Sequence, residues 1–220
     1  MEGKQKMFYL VRHGESTGNI TRFFYNHDES DLKLTEEGMN QASAVAKRFT
    51  KLPIDAIVSS NFVRARQTAE IIANELQYGA VIETPLFVES RPASITKGVH
   101  EEAPESIAYK REVFSRYGTD DAWRHSDEEN PQDLIVRARE ALQFLQGVKS
   151  SHVVVVTHGM FLRVLVGYVL FGERMTGYEL KHLMLGLATK NTGVTVIRYN
   201  EEAHIPWKVI TWNDHSHLPS

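Results

Sequence analysis

The chain has 220 residues, 42% of them hydrophobic, with 25 Lys and Arg against 28 Asp and Glu for a formal charge of −3. That length and apolar share suit one domain with a substantial core, since a chain of this size buries roughly 70% of the surface it exposes when unfolded. The near balance of charge leaves no global field to draw nucleic acid or an anionic membrane, so an anion site has to be built locally, and the absence of cysteine excludes disulfides, thiolate nucleophiles and zinc–thiolate centres.

Residues 7–11 form a short apolar run ending at Arg12, which reads as a strand buried on both faces and is too short for the core of a signal peptide. Loop-like residues follow to about Lys33. Thr35 offers an N-cap to a helix in which Met39, Ala42, Ala46 and Phe49 recur at three- and four-residue spacing, ending before Pro53. Residues 56–59 read as a second buried strand. Ala65, Ala69, Ile72 and Leu76 mark a helix that stops at Gly79, and a strand is predicted near 80–83.

From Thr84 to Asn130 the character changes. This stretch carries Pro85, Pro92 and Pro104, the acidic pair Glu101-Glu102, and one predicted helix around 105–117. It reads as an insertion or lid, at about 84–130, in a single domain spanning 1–220. Asn130-Pro131 then supplies an N-cap and a proline at the first position of a helix that runs to about Gly147. Residues 152–157 include four consecutive valines, the clearest buried strand in the chain. Helices are predicted over 160–171 and 178–187, and strands at 194–197 and 208–212. No internal repeat or low-complexity segment is visible. The apolar stretch 160–171 is broken by Arg163 and falls well short of the ~20 residues of a membrane span, so a soluble, cytoplasmic protein is expected.

Alternating strands and helices imply an α/β fold with a mostly parallel sheet and helices on both faces. Ligands in such sheets bind at the carboxyl ends of the strands. Just past three predicted strand ends lie Arg12-His13, Ser59-Ser60 leading to Arg64, and Thr157-His158. These groups are expected to meet at one sheet edge.

Two candidate nucleophiles lie three residues apart. Ser16 sits in Gly14-Glu15-Ser16-Thr17-Gly18, which matches the G-x-S-x-G elbow of serine hydrolases. An elbow, however, places its serine on the turn between a strand and an immediately following helix. Here His13 occupies the turn, and no helical pattern follows Ser16 for about fifteen residues. His13 has a cationic neighbour in Arg12 and two nearby glycines that can let backbone amides approach an anion. His158-Gly159 repeats a His-Gly pair before a predicted helix, whose N-terminus favours negative charge. The alternative for either histidine alone is a strand-end hydrogen bond; the whole set points to a functional site.

The stretches LVRHGESTGN, LTEEGMNQA, VSSNFVRARQTAEIIA and VVVVTHG together resemble the histidine phosphatase superfamily, also called phosphoglycerate-mutase-like, from about residue 7 to 199. The resemblance implies a three-layer α/β/α sandwich with a mostly parallel mixed sheet. It implies that His13 attacks phosphorus and becomes a phosphohistidine, with Arg12, Arg64 and His158 around the transferred phosphoryl group. Asn19 and the backbone at Gly159 are further expected donors, and Ser16 is expected to contact substrate rather than attack it. In the family a carboxylic acid after the third strand protonates the leaving group; Glu89 matches, with Glu83 as a rival. Mutases of the family carry Arg-His-Tyr-Gly after that acid, where this chain has Ser90-Arg91-Pro92-Ala93. The expectation is therefore a phosphatase acting on a phosphorylated small molecule, with a mutase or a non-catalytic phosphate-binding protein as alternatives. No metal or cofactor, no nucleic-acid partner and no membrane partner are expected. His215-Ser216-His217 reads as a disordered tail.

Overall fold

The structure, a computed structural model, describes residues 5–24 and 32–219. The loop expectation for 25–31 lies outside the described residues. In chain order the elements are β1 (Gln5–Arg12), α1 (Thr17–Thr21), α2 (Glu36–Phe49), β2 (Ala56–Ser60), α3 (Val63–Glu75), β3 (Ile82–Thr84), α4 (Pro104–Arg116), α5 (Pro131–Gly147), β4 (His152–Thr157), α6 (Gly159–Phe171), α7 (Gly177–Gly186), β5 (Val194–Asn200) and β6 (Trp207–Asp214). They form one six-stranded sheet in the order β3-β2-β4-β1-β5-β6. The first four strands in that order run parallel, while β5 is antiparallel to both β1 and β6.

Side chains alternate between the faces of a strand, and this parity divides the core into two layers. Phe8, Leu10, Val153 and Val155 pack against Ala138, Leu142 and Leu145 of α5 and Phe161, Leu162 and Leu165 of α6. Tyr9, Val11, Val154 and Val156 pack on the opposite face, against Val45, Ala46 and Phe49 of α2 and Ala65, Ala69 and Ile72 of α3. Strands covered on both faces need apolar residues at successive positions, which is why β1 and β4 read as unbroken apolar runs. The three-layer α/β/α sandwich follows.

Two helix starts are where the chain marks them, while α3 ends at Glu75, short of the expected Gly79. Thr35 Oγ1 accepts from Gly38 N at 3.0 Å and starts α2. Asn130 and Asp133 exchange reciprocal side-chain bonds to each other's backbone N–H at the start of α5, 2.9 and 3.2 Å long.

Three expectations are corrected. The stretch after β1 is not all loop, because α1 forms there with Ser16 at its N-cap; five residues are too few to display an apolar period. The inward face of α2 is displaced at its start: Met39 is 46% exposed and Gly38 is buried instead. A Cβ on Gly38 would stand 1.9 Å from the Glu15 carbonyl oxygen, and one on Gly14 would stand 2.4 Å from the Gly38 carbonyl oxygen. The loop carrying His13 thus docks on the first turn of α2 through two glycines, whose missing side chains make the approach possible. Finally, the C-terminal segment is tied down. His217 is bonded at 3.1 Å to Thr192 Oγ1, and the His215 ring to Asn213 O at 2.8 Å.

Candidate active site

In the β1–β4 ladder Arg12 pairs with Thr157, so the next residue of each strand leaves the same edge of the sheet. His13 N donates to Thr157 O at 2.9 Å, and the His13 and His158 rings lie with centroids 5.0 Å apart. β2 ends beside them, and the first turn of α3 brings Arg64 over the pair. The expected meeting of three strand ends is what the topology produces.

His13 is 3% exposed. Its Nδ1 lies 2.7 Å from Gly14 O; a carbonyl can only accept, so Nδ1 carries the proton. Arg64 Nε donates to His13 Nε2 at 3.2 Å, in agreement with a lone pair on that nitrogen. Burial, then the charges of Arg64 and Arg12, hold the His13 imidazolium well below the usual histidine range, against an opposing contribution from the Gly14 carbonyl. The ring is therefore neutral near pH 7, with its nucleophilic nitrogen set by tautomer. His158 is fully buried and is held low for the same first reason, burial, followed by Arg64 and His13. Its Nε2 is 2.9 Å from Ser60 Oγ.

Arg12 reaches beneath the start of α6, where Nη1 donates to Thr189 O at 3.0 Å. A Cβ at position 159 would stand 3.2 Å from Arg12 Nε, so Gly159 leaves room for this guanidinium. Among the described residues, Arg12 Nε and His158 Nδ1 are buried without a hydrogen-bond partner. A buried polar atom left unpaired costs ~1–3 kcal/mol, and both belong to side chains gathered around His13. Asn19 Oδ1 accepts from Ser16 N, Ser16 Oγ and Asn191 Nδ2 at 3.1–3.2 Å, which orients its amide nitrogen as the donor end. Ser16 is buried in this network. Gly14 does not offer its amide to a ligand, because Gly14 N donates to Thr68 Oγ1 at 3.1 Å.

Glu89 lies in the wall of a cavity of about 450 Å³ that opens over His13 and also contacts Arg12, Ser16, Asn19 and Arg64. Its carboxylate accepts from Met160 N (3.1 Å), Phe161 N (3.0 Å) and Ser90 N (2.9 Å). The first two are unpaired donors at the N-terminus of α6, which His158 leaves without a side-chain cap. Glu83 sits elsewhere, exposed on β3 with Arg66 3.9 Å away.

Two supporting residues were missed in the sequence. Asn191 Nδ2 donates to His13 O at 2.9 Å as well as to Asn19. Because β5 is antiparallel to β1, the loop before β5 lies at the carboxyl end of β1; that direction would have pointed to Asn191. Arg137 binds Glu129 at 2.8 and 2.9 Å, donates to Val88 O at 2.7 Å, and lies 3.9 Å over the Phe161 ring. It fastens the turn that precedes Glu89. No signal in the sequence separates Arg137 from other helix-surface arginines.

Residues 8–215 match the histidine phosphatase superfamily (branch 1). The chain belongs to that superfamily. Among curated relatives, "probable phosphoglycerate mutase GpmB" of Escherichia coli O1:K1 is 31% identical over 213 residues, covering 96% of this chain and 94% of the relative. The protein of the same name from Enterobacter sp. (strain 638) is 32% identical over 216 residues, with the same coverage. Among solved structures, a mutant phosphoserine phosphatase from Entamoeba histolytica in complex with phosphoserine superposes with a TM-score of 0.78 at 22% identity, over 97% of this chain and 100% of that one. Mycobacterial glucosyl-3-phosphoglycerate phosphatase with VO3 superposes at 0.74 and 22%, over 94% and 98%. These two likenesses establish the fold. Among the described residues no helix is long and apolar enough to cross a membrane.

Proposed function

We propose that this member of the superfamily is a phosphomonoesterase working through a phosphohistidine on His13. The observation that carries the reading is the state of His13: a buried, neutral imidazole whose Nδ1–H is bound to Gly14 O, leaving the Nε2 lone pair beside Arg64 at the floor of the cavity. In the first step Nε2 forms a bond to phosphorus and the ester P–O bond breaks. Arg12, Arg64 and the Asn19 amide, already in place, hold the charge on the equatorial oxygens. Glu89 gives a proton to the leaving alkoxide. In the second step Glu89 takes a proton from water, whose oxygen bonds phosphorus as the P–N bond breaks, restoring His13 and releasing phosphate. Nucleophile, acid and charge donors are all side chains or backbone of this chain, so turnover is expected to survive EDTA.

The name carried by the GpmB relatives supports a second reading, a mutase. Its distinguishing demand is retention of a doubly phosphorylated intermediate. The turn after Glu89 here is Ser90-Arg91-Pro92-Ala93, and Arg91 Nε is spent on Asp127 O at 3.0 Å, which favours the phosphatase. The test is rapid quench into alkali with labelled substrate, followed by peptide fragmentation. An acid-labile, alkali-stable label on His13, with inorganic phosphate as the product, is expected. An acid-stable label on Ser16 would overturn the nucleophile. Conversion of 3-phosphoglycerate to its isomer in the presence of the bisphosphate, without net phosphate release, would establish the mutase.

A further inference from the structure

Away from the phosphate end, the cavity over His13 changes character. One wall is Tyr109, Val113 and Phe114 of α4; the others include Phe24, Met160 and Met184. The aromatic groups form two edge-to-face pairs, Phe24 with Tyr109 (centroids 6.4 Å apart) and Phe114 with Tyr117 (5.3 Å). Both phenols remain neutral, burial pushing Tyr109 up to about 12 and Tyr117 further.

Among the described residues, the basic side chains of this outer part, Lys110 and Arg91, already have partners. Lys110 lies 3.8 Å from Glu101 and 5.1 Å over the Phe24 ring, and Arg91 binds a carbonyl as described. Glu101, Glu128 and Glu129 face the same space. Glu128 is 3% exposed and held by the backbone N–H groups of His125 and Ser126. Among the described residues, a second anion placed here would meet these carboxylates, and Lys110 would have to give up Glu101 to receive it.

We propose that the substrate is a phosphomonoester whose organic part is uncharged and apolar, of the size of an aromatic ring on a short linker. A carboxylate or second phosphate next to the ester is selected against. The inference rests on the phosphatase reading for turnover, but its central claim concerns binding. It also separates this chain from the phosphoserine and phosphoglycerate ligands named for its structural neighbours.

The experiment compares 2-phenylethyl phosphate, n-propyl phosphate and phosphoserine, all alkyl esters, so that leaving-group chemistry changes little. Affinities are measured by calorimetry on the His13→Ala protein, and kcat/KM on the wild type. The phenylethyl ester is expected to bind at least about tenfold more tightly than the propyl ester, the scale for removing one ring from water, and phosphoserine more weakly than either. Phe114→Ala and, independently, Phe24→Ala should each cost the phenylethyl ester about fivefold or more in kcat/KM. Inhibition by inorganic phosphate should stay unchanged in both, which also shows that each variant keeps its phosphate end. Equal affinity for the phenylethyl and propyl esters, or tighter phosphoserine, would overturn this inference while leaving hydrolysis standing. Tight binding of the phenylethyl ester with no phosphate released by the wild type would support it and remove the phosphatase reading.

Discussion

At the carboxyl ends of β1 and β4, the two histidine rings are buried and their backbone is fixed by strand pairing; Ser60 of β2 holds His158, Thr68 of α3 holds the Gly14 amide, and Asn191 and Thr189 before β5 hold the His13 carbonyl and Arg12. Across the cavity, α4 is less deeply set: Ser106 is its buried residue, Val113 and Phe114 pack only partly buried against the core, and its ionic partners, Glu101 for Lys110 and His125 for Glu112, lie at the surface. The sheet edge has one arrangement because each strand that forms it is locked into the core on both faces. The cover meets the core through partly buried side chains of α4, so the residues it turns to the cavity can change at less cost to the fold than those of the edge. We therefore assign the reaction to the edge and the choice of substrate to the segment 84–130, read as an insertion over the site.

That division is most easily broken at His13. Replacing it with alanine should lower turnover by more than about 10³-fold and abolish the trapped phosphoryl group, because the proposed intermediate is a bond from His13 Nε2 to phosphorus. Substitutions on α4 should shift preference among esters and leave trapping intact. If a change on α4 also stopped trapping, edge and cover would have to be treated as one unit.

Glu89 stands on the boundary, carried by the cover and held by the N-terminus of α6. Glu89→Gln should cost alkyl esters about 10²–10⁴-fold, the usual scale for general acid catalysis. The loss should be smaller on an aryl ester, whose phenolate leaves without needing a proton. Equal losses on both would mean that the carboxylate serves to place α6 and the turn at Ser90 rather than to move a proton.

These regions were not equally legible in the sequence. The edge could be read because its cause is local: β1 and β4 are continuous apolar runs, and the polar residues that end them must emerge at the sheet's carboxyl side. What escaped depends on strand direction or on distant partners. Asn191 reaches His13 because β5 runs antiparallel, a fact its valines do not encode. Gly38 lies outside the apolar period read for α2, yet it is the seat of the His13 loop. Arg137 and the His217–Thr192 contact join positions far apart in the chain, which periodicity cannot reveal. The character of the cover, several prolines and one weakly amphipathic helix, was visible, but the cavity its apolar residues form was not.

Gly38 offers a finer test of how rigid the edge must be. A methyl group there meets backbone, not a side chain that can swing aside, so the His13 loop must shift or α2 must lose its first turn. Gly38→Ala should destabilise by ~1–3 kcal/mol, the range for overpacking. It should also reduce kcat by about tenfold, with KM for a small ester little changed. Thermal unfolding and steady-state kinetics on the same preparation check both. Full activity in a destabilised protein would show that the loop needs the fold but not this seat.

The smallest expected effect concerns acid. The His13 and His158 imidazolia are held well below the ordinary histidine value, chiefly by burial, and His217 is lowered to about 4 by burial and Arg48, with Asp214 opposing. In the unfolded chain these rings titrate near 6.5. Between that value and the lower folded ones, the unfolded state binds protons that the folded state refuses, so stability falls as pH falls through this window and is fully present above it. Because His13 stays neutral below pH 6.5, kcat/KM should persist there, the nucleophile failing only where the fold itself weakens. Urea midpoints measured from pH 7.5 to 5 should decline, and His217→Asn should flatten part of that decline without altering the kinetics at pH 7. A midpoint independent of pH in the parent would show that the buried rings become protonated inside the fold, and the neutral nucleophile would go with it.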